Sequence, residues 1–276
     1  MTLRGEAEGR MLIDYHVHLE RGPYELEWLE QFVQAARNRG VKEIGVVEHA
    51  YRFQEAADLL PEDWPADRAE LPVASYVDFM LMARGKGLPV RLGIEVDFVP
   101  GREEATAAFL RQYPFDFVLG AVHYLDGWGF DNPLFEGEWA AKDVDEVYRQ
   151  YIDTVARAVR SGLFDVLAHP DVIKIFGHRP SRPADWSGLV RALAQTGTAL
   201  EVSSAGLRKP VREAYPERGL LKACFAAGVP ITLASDAHEP EEAGQGIEEV
   251  AFLAKEAGYR KITRFFARRA EEVPMT

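Results

Sequence analysis

Two short motifs of this chain place metal-ligand side chains two residues apart. His16 and His18 lie in the string DYHVH, and Asp236 and His238 lie in SDAH. In a β-strand, residues two apart point to the same side, so each pair would present two ligands together. An HxH pair also arises by chance in surface strands, so neither motif establishes a metal site by itself. The pairs indicate metal chemistry only in combination with the residues that follow.

Four further ligand-type residues stand at the ends of other apolar stretches. They are His49 in VVEH, Glu95 in GIEVDF, His123 in GAVH and His169 in LAHPD. Six of the seven histidines therefore occur at predicted strand ends, and only His178 lies elsewhere. A catalytic zinc takes three protein ligands, so this set exceeds what one ion uses. We expect two or three divalent ions with mixed nitrogen and oxygen ligands, a combination that suits zinc, manganese or iron.

Seven apolar strands are predicted to carry these residues. The strands comprise residues 12–18, 44–49, 92–98, 117–123, 164–171, 198–206 and 233–238. Segments with helical spacing lie between them, and a final short helix is predicted at 262–269. This alternation predicts parallel strands with crossover helices, in either a closed barrel or an open doubly wound sheet. Only closure brings so many strand ends around one pocket, so we predict an α/β TIM-like barrel with a metal site at the C-terminal ends of its strands.

Length and composition limit the classes of protein that this chain can be. Its 276 residues are 47% hydrophobic, which suits one barrel domain over residues 1–276, with 1–10 as a loose N-terminal extension. The net charge of −12 argues against a protein that holds nucleic acid by bulk electrostatics. A single cysteine, Cys224, excludes an intramolecular disulfide and a thiolate zinc site. The chain has no signal-peptide pattern and no long apolar run, so we expect a cytoplasmic protein without a membrane partner.

The metal-type motifs, in this order, resemble those of the PHP (polymerase and histidinol phosphatase) superfamily. The resemblance covers about residues 12–240 and implies a distorted (β/α)7 barrel with a trinuclear metal centre. The ligand groups that it implies are His16, His18, Glu95 and Asp236 for one ion, Glu95, His123 and His169 for a second, and His49 and His238 for a third. Many members carry another His or Asp a few residues after the HxH motif. Here Glu20 is the candidate substitute.

Two loops resemble the histidinol-phosphate phosphatase branch of that superfamily. One contains Lys174, His178 and Arg179 in KIFGHR, and the other contains Arg208 in SAGLRKP. A phosphate monoester needs cationic partners, and the arginine guanidinium is planar and can donate two hydrogen bonds to one phosphate. Arg208 is therefore the first candidate to bind the phosphate oxygens, followed by Arg179 and Lys174. Solvated surface charge is the alternative for all three. His178 would be a surface residue, a general acid or a substrate contact.

The loop after His123 combines aromatic and acidic residues in the string HYLDGWGFDNP. Trp128 and its aromatic neighbours could form one wall of a pocket for a flat imidazole ring. Asp126 or Asp131 could then meet a positively charged amine of the substrate. Anchoring of a long loop is the competing interpretation of the same residues.

These interpretations combine into a metal-dependent phosphomonoesterase. Water activated by the ions would attack phosphorus in line, while the ions and Arg208 neutralise the developing charge. The candidate catalytic residues are Asp236, His238, His49 and His178, and either an imidazole among them or a metal-bound water would protonate the departing alkoxide. The resemblance implies L-histidinol phosphate, within histidine biosynthesis, as the substrate. The alternatives are another small ester, such as a nucleotide or sugar phosphate, or a metal-binding protein without turnover.

Overall fold

Strands and helices alternate along the chain, as the apolar pattern predicts. The computed structural model describes residues 11–64, 66 and 71–276, so the predicted extension at 1–10 lies outside the described residues. The strands are β1 Leu12–Val17, β2 Val41–His49, β3 Val90–Asp97, β4 Phe117–Ala121, β5 Tyr124–Leu125, β6 Trp128–Gly129, β7 Val166–Leu167, β8 Ala199–Ser203, β9 Ile231–Ala234, β10 Lys261–Phe266 and β11 Arg269–Pro274. The α-helices are α1 Leu26–Asn38, α2 Val73–Gly85, α3 Glu103–Leu110, α4 Val144–Arg160, α5 Ser187–Thr196, α6 Arg218–Ala226 and α7 Ile247–Ala257.

Seven of these strands form one parallel sheet in the order β1-β2-β3-β4-β7-β8-β9. The two outer strands, β1 and β9, meet where Val17 bridges Ala237 in parallel register. There the amide of His18 donates to the Ala237 carbonyl at 2.7 Å, and the amide of Ala237 donates to the His16 carbonyl at 3.2 Å. The sheet is therefore a nearly closed barrel, which confirms the predicted fold over the open-sheet alternative.

The helices form where apolar residues recur at helical spacing. In α1 the buried side chains are Leu29, Phe32, Val33 and Ala36, which lie on one face against the barrel. Helix α4 begins at a side-chain cap, since the Asp143 carboxylate accepts from two amides of the first turn. No helix in the described ranges is both long and apolar enough to cross a membrane.

The end of the barrel remote from the strand C-termini is filled by aromatic rings. Phe117 stacks on Tyr15 with ring centroids 4.9 Å apart, and Phe265 lies 6.0 Å from Phe117 and 6.3 Å from Tyr15. The Phe117 ring has room because two strand positions that face it are glycines. A Cβ on Gly45 would lie 2.5 Å from this ring, and a Cβ on Gly93 would lie 2.6 Å from it. Close packing of this kind makes the barrel interior a solid core.

The predicted helix at 262–269 is wrong, because this segment forms the antiparallel hairpin β10–β11. The apolar residues Ile262 and Phe265 have a separation that fits a helix as well as a twisted strand. β-Branched and aromatic residues favour the strand, and Ala267 and Arg268 both adopt left-handed φ values, 48° and 63°, as a two-residue hairpin turn requires. Phe265 thereby reaches the rings inside the barrel.

The Gly93→Ala substitution tests this packing. The added methyl group would contact the Phe117 ring and Val47 Cγ1 at 2.6 Å, so we expect the free energy of unfolding to fall by about 1–3 kcal/mol. Urea unfolding would measure the change. Gly85→Ala is the control, because a Cβ on this helical glycine meets nothing within 4 Å. Equal stability of the two variants would contradict this description of the core.

Candidate metal centre

The metal-type residues predicted from the sequence gather at the C-terminal end of the barrel. Each lies at or just after the end of a parallel strand, where crossover connections leave room for a site. They are His16 and His18 at β1, His49 at β2, Glu95 at β3, His123 after β4, His169 after β7, and Asp236 and His238 after β9. Six strands of the barrel thus contribute a ligand-type side chain to the same space.

Glu95 is the centre of this cluster, and its side chain is about as buried as any in the protein, at 1% exposure. Five imidazoles surround its two oxygens. Around Oε2 lie His49 Nδ1 at 2.9 Å, His16 Nε2 at 3.4 Å and His18 Nε2 at 3.5 Å, and around Oε1 lie His169 Nε2 at 3.1 Å and His123 Nε2 at 3.7 Å. Burial alone would raise the pKa of Glu95, but His16 and His49 hold it well below its usual value. The carboxylate is therefore ionised and presents one oxygen to each of two sets of imidazoles.

Four groups of three side chains have ligand atoms that all lie within 4.8 Å of one another. These groups are His16, His18 and Glu95; Glu95, His123 and His169; His18, Asp236 and His238; and His18, Glu20 and His49. Together they contain every residue that the sequence suggested as a metal ligand. Because Glu95 belongs to two of the groups, it can bridge two ions.

Two carboxylates that the sequence analysis did not single out fix the orientation of the imidazoles. Glu201 Oε2 lies 2.8 Å from His16 Nδ1, and Asp97 Oδ1 lies 2.9 Å from His123 Nδ1. An Nδ1 proton facing each carboxylate leaves the Nε2 lone pair directed at Glu95, which is the tautomer that a metal ligand needs. The signal was present in the sequence, since Glu201 interrupts the apolar strand ALEVS and Asp97 lies two residues after Glu95.

Buried polar atoms show that these residues fit metal ions. Within the described residues, His18 Nδ1, His49 Nδ1 and Glu95 Oε2 are buried without a hydrogen-bond partner, although the last two lie only 2.9 Å apart. Burial, together with the imidazoles of His238 and His49, lowers the pKa of His18 to about 3, so this ring is neutral. Neutral imidazoles and ionised carboxylates are the ligand forms that zinc, manganese and iron bind.

Glu20 joins the cluster from the turn that follows β1. Its Oε1 lies 2.9 Å from His238 Nδ1, and its Oε2 lies 3.5 Å from an Arg52 nitrogen. The turn is fixed from behind, because the amide of Leu19 donates to Glu48 Oε1 at 2.8 Å. Glu20 thus lies with His18 and His49 in one of the four groups of possible ligands.

A cavity of about 400 Å³ opens above the cluster. Seven of the nine ligand-type residues line it, namely Glu20, His49, Glu95, His123, His169, Asp236 and His238. Its walls add two cations, an acid and three phenol rings: Arg21, Lys209, Asp131, Tyr51, Tyr124 and Tyr215. The space above the ligands can therefore hold a small polar molecule with both charged and flat parts.

The sequence matches the PHP domain model over residues 14–205. This range contains seven of the nine ligand-type residues, and Asp236 and His238 follow it. The match covers more than half of the chain. The chain belongs to the PHP domain family.

Several relatives of this PHP domain protein carry names that refer to one activity. The probable histidinol-phosphatase of Deinococcus radiodurans is 36% identical over 256 residues, which are 91% of this chain and 96% of the relative. The histidinol-phosphatase of Bacillus subtilis is 26% identical over 88% of this chain and 98% of the relative. The crystal structure of the Lactococcus lactis histidinol phosphate phosphatase, complexed with zinc, L-histidinol and phosphate, matches with a TM-score of 0.76. It is 22% identical and covers 95% of this chain and 100% of that one, a likeness that supports the barrel fold.

The loop after β7 does not bring its cations to the cavity of this PHP domain. Lys174 is buried, with its ammonium 2.9 Å from Asp171 Oδ2 and 2.9 Å from the Ala214 carbonyl. Arg179 is 38% exposed and lies 2.7 Å from Glu213. Both residues were expected to bind substrate. Neither residue belongs to the described lining of the cavity. Each is held by an acidic neighbour instead.

His178 and Trp128 also lie outside the described lining of the cavity. The His178 ring stacks on Trp139 with centroids 4.5 Å apart, and its carbonyl accepts from the Tyr148 hydroxyl at 2.7 Å. Trp128 packs edge-on against the same Trp139, and the Lys142 ammonium lies 4.5 Å above the Trp128 ring. These contacts anchor loops, which was the competing interpretation of the aromatic segment.

Arg208 lies beside the Asp236 backbone, although, like Lys174 and Arg179, it is absent from the described lining of the cavity. One guanidinium nitrogen, Nη2, donates to the carbonyls of Ser235 at 2.7 Å and Asp236 at 3.1 Å. The other, Nη1, is buried and has no hydrogen-bond partner among the described residues. The side chain is thus fixed beside the Asp236 backbone with one donor free.

Glu201→Gln tests whether the outer carboxylates matter for metal binding. Glu201 accepts from the His16 ring through one oxygen and from the His169 amide through the other, at 2.9 Å. Glutamine has only one acceptor oxygen, so one of these donors loses its partner, and we expect zinc affinity to fall by about 10- to 100-fold. Competition with a chromophoric chelator would measure it. The control is Glu146→Gln, on the exposed face of α4, and zinc affinities equal to wild type in both variants would refute the role of Glu201.

Proposed function

We propose that this protein is a metal-dependent phosphomonoesterase that hydrolyses L-histidinol phosphate to L-histidinol and phosphate, in histidine biosynthesis. The observation that carries the proposal is the set of imidazoles around the buried Glu95, at the floor of a cavity that fits a small phosphate ester. Relatives that match almost the whole chain are named histidinol-phosphatases, and the Deinococcus relative is similar enough to share the family. The substrate is therefore a small molecule with one phosphate group.

The ligand groups support two divalent ions that share Glu95, and a third ion near Glu20. The first would be held by His16, His18 and Glu95, with Asp236 3.5 Å from both imidazoles, and the second by Glu95, His123 and His169. The third would be held by Glu20 and His49, with His238 2.9 Å from Glu20. Zinc, manganese and iron all suit this mixture of nitrogen and oxygen ligands. Such ions supply an activated water and neutralise charge on the phosphoryl oxygens.

Arg208 is our candidate for the residue that positions the phosphoryl group. Its guanidinium is held against the β9 end by two backbone carbonyls, and its buried Nη1 has no partner among the described residues. A phosphate oxygen would satisfy this donor, since a guanidinium forms strong charge-assisted hydrogen bonds with phosphate. Lys209, the next residue, lines the cavity and adds positive charge on the same side.

His49 and His238 line the cavity near Glu20, and we assign protonation of the leaving alkoxide to one of them when the third ion is not bound there. His238 lies 3.2 Å from Asp236 and 2.9 Å from Glu20. Burial opposes protonation of His238, but its hydrogen bonds to these two carboxylates outweigh burial and raise its pKa to about 9. His178 is not assigned a catalytic role, because its ring packs on Trp139.

The organic part of the substrate would lie against the aromatic and acidic wall of the cavity. Asp131 lines this wall, with its Oδ2 4.0 Å from His123 Nε2, and can meet a positively charged amine. Asp126 instead accepts from Gln150 at 2.6 Å, so it is not the acid that faces the ligand. Tyr51 and Tyr124 provide flat surfaces for an imidazole ring.

Phosphate release from four esters tests this function. The protein would be stripped of metal, rebuilt separately with zinc, manganese or iron(II), and given L-histidinol phosphate, p-nitrophenyl phosphate, AMP or a sugar phosphate. We expect kcat/KM for histidinol phosphate to exceed the others by at least ~100-fold, which corresponds to ~2.7 kcal/mol of selective transition-state binding. The metal-free protein, as control, should release almost no phosphate.

Two outcomes would contradict the proposal in different ways. Comparable slow rates on all four esters would support a metal-dependent phosphoesterase activity but exclude histidinol phosphate as the preferred substrate. A rebuilt protein that binds metal and releases no phosphate from any ester would point to a metal-binding protein without turnover.

A further inference from the structure

Tyr215 is a residue of the cavity lining with a buried hydroxyl. The residue is 1% exposed, it belongs to the cavity lining, and its hydroxyl has no hydrogen-bond partner among the described residues. A buried polar group without a partner destabilises a folded protein, so each such group calls for an explanation. A ligand that accepts a hydrogen bond from this hydroxyl would remove the penalty.

The Tyr215 ring is held in place from several directions. Its backbone pairs with Ser203 at the end of β8, where the Tyr215 amide donates to Ser203 at 2.9 Å and the Ser203 amide donates back at 2.6 Å. A Cβ on Gly206 would lie 2.9 Å from Tyr215 Cζ and 2.0 Å from the Glu213 carbonyl, so only glycine lets the chain pass here. The phenol therefore cannot turn easily to find another partner.

Lys174 completes this support. Its ammonium lies 5.4 Å from the centroid of the Tyr215 ring, within the range of a cation–π contact, and is fixed by Asp171 and the Ala214 carbonyl. The two loops that resemble the histidinol-phosphate phosphatase branch, around Lys174 and around Gly206, thus both pack against Tyr215. Lys174 acts on the cavity through this ring and not by direct contact.

The charges around Tyr215 keep its hydroxyl a donor. Burial, followed by the carboxylates of Asp171, Asp236 and Asp131, raises the pKa of Tyr215 well above its usual value. Asp236, one of the metal-type residues, and Tyr215 both line the cavity, so the phenol borders the space where phosphoryl oxygens would gather. A protonated phenol donates best to an anionic oxygen.

We propose that Tyr215 is a catalytic residue whose hydroxyl donates a hydrogen bond to a non-bridging oxygen of the substrate's phosphoryl group. The proposal rests on the proposed function only in requiring a phosphate monoester, not histidinol phosphate in particular. Since charge develops on these oxygens in the transition state, the donor contributes to kcat as well as to binding.

Tyr215→Phe removes the hydroxyl and keeps the ring. In the zinc-loaded protein we expect kcat/KM to fall by about 10- to 100-fold on both histidinol phosphate and p-nitrophenyl phosphate. We also expect inorganic phosphate to inhibit the variant at least ~5-fold more weakly, since a hydrogen bond to the bound anion is lost. The control is Tyr148→Phe, whose hydroxyl donates to the His178 carbonyl outside the described cavity lining, and which should match wild type within about twofold.

Three results would overturn the proposal. Rates and phosphate inhibition equal to wild type would show that the hydroxyl makes no contact with the phosphoryl group. A loss confined to histidinol phosphate would place it against the leaving group, and equal losses in both variants would indicate a structural effect. Zinc content and phosphate binding by calorimetry provide a readout that does not require turnover. If p-nitrophenyl phosphate is hydrolysed and histidinol phosphate is not, the named substrate fails while the comparison of variants on p-nitrophenyl phosphate still tests Tyr215.

Discussion

A single ionised carboxylate, buried among five imidazoles, is the constraint on which the site depends. An isolated charge at the depth of Glu95 would be strongly disfavoured, and it is tolerated because positive or metal-binding partners surround both of its oxygens. The imidazoles reach it from β1, β2, β4 and β7, so these strands must end at the same level. Closure of the barrel between His18 and Ala237 brings the last pair of ligands, on the β9 side, to the same place.

Carboxylates outside the ligand cluster fix the orientation of the imidazoles within it. Glu201 and Asp97 each accept from an Nδ1, which directs the opposite nitrogen of His16 and His123 toward Glu95. Tyr215 is supported in the same manner, by Lys174 beneath its ring. In the described lining of the cavity four acidic residues stand against two cations, Arg21 and Lys209, so the site attracts metal ions first and an anion through them.

The sequence predicted the metal-type residues well, because strand periodicity alone places His16 with His18 and fixes which end of a strand a residue occupies. It did not predict the roles of Lys174 and Arg179. Their partners are acids elsewhere in the fold, Asp171 and Glu213, and a solvated, a paired and a substrate-binding cation look alike in sequence. The prediction of a helix at 262–269 was wrong for a related reason. Its apolar spacing fits both a helix and a strand, and the rings of the barrel interior decide between them.

Tyr215 lies beyond what a motif search finds, since a lone tyrosine in a loop carries no spacing signal. Only its burial, its unpaired hydroxyl and its place in the cavity lining distinguish it. Glu20 differs, because its place shortly after the HxH motif already made it a candidate ligand, and the fold adds that it lies 2.9 Å from His238.

Anomalous scattering at the zinc absorption edge, from crystals grown with zinc, tests the shared carboxylate most directly. The account predicts at least two peaks that both contact Glu95, one also contacting His16 and His18 and the other His123 and His169. A single peak, or zinc bound without any contact to Glu95, would contradict it.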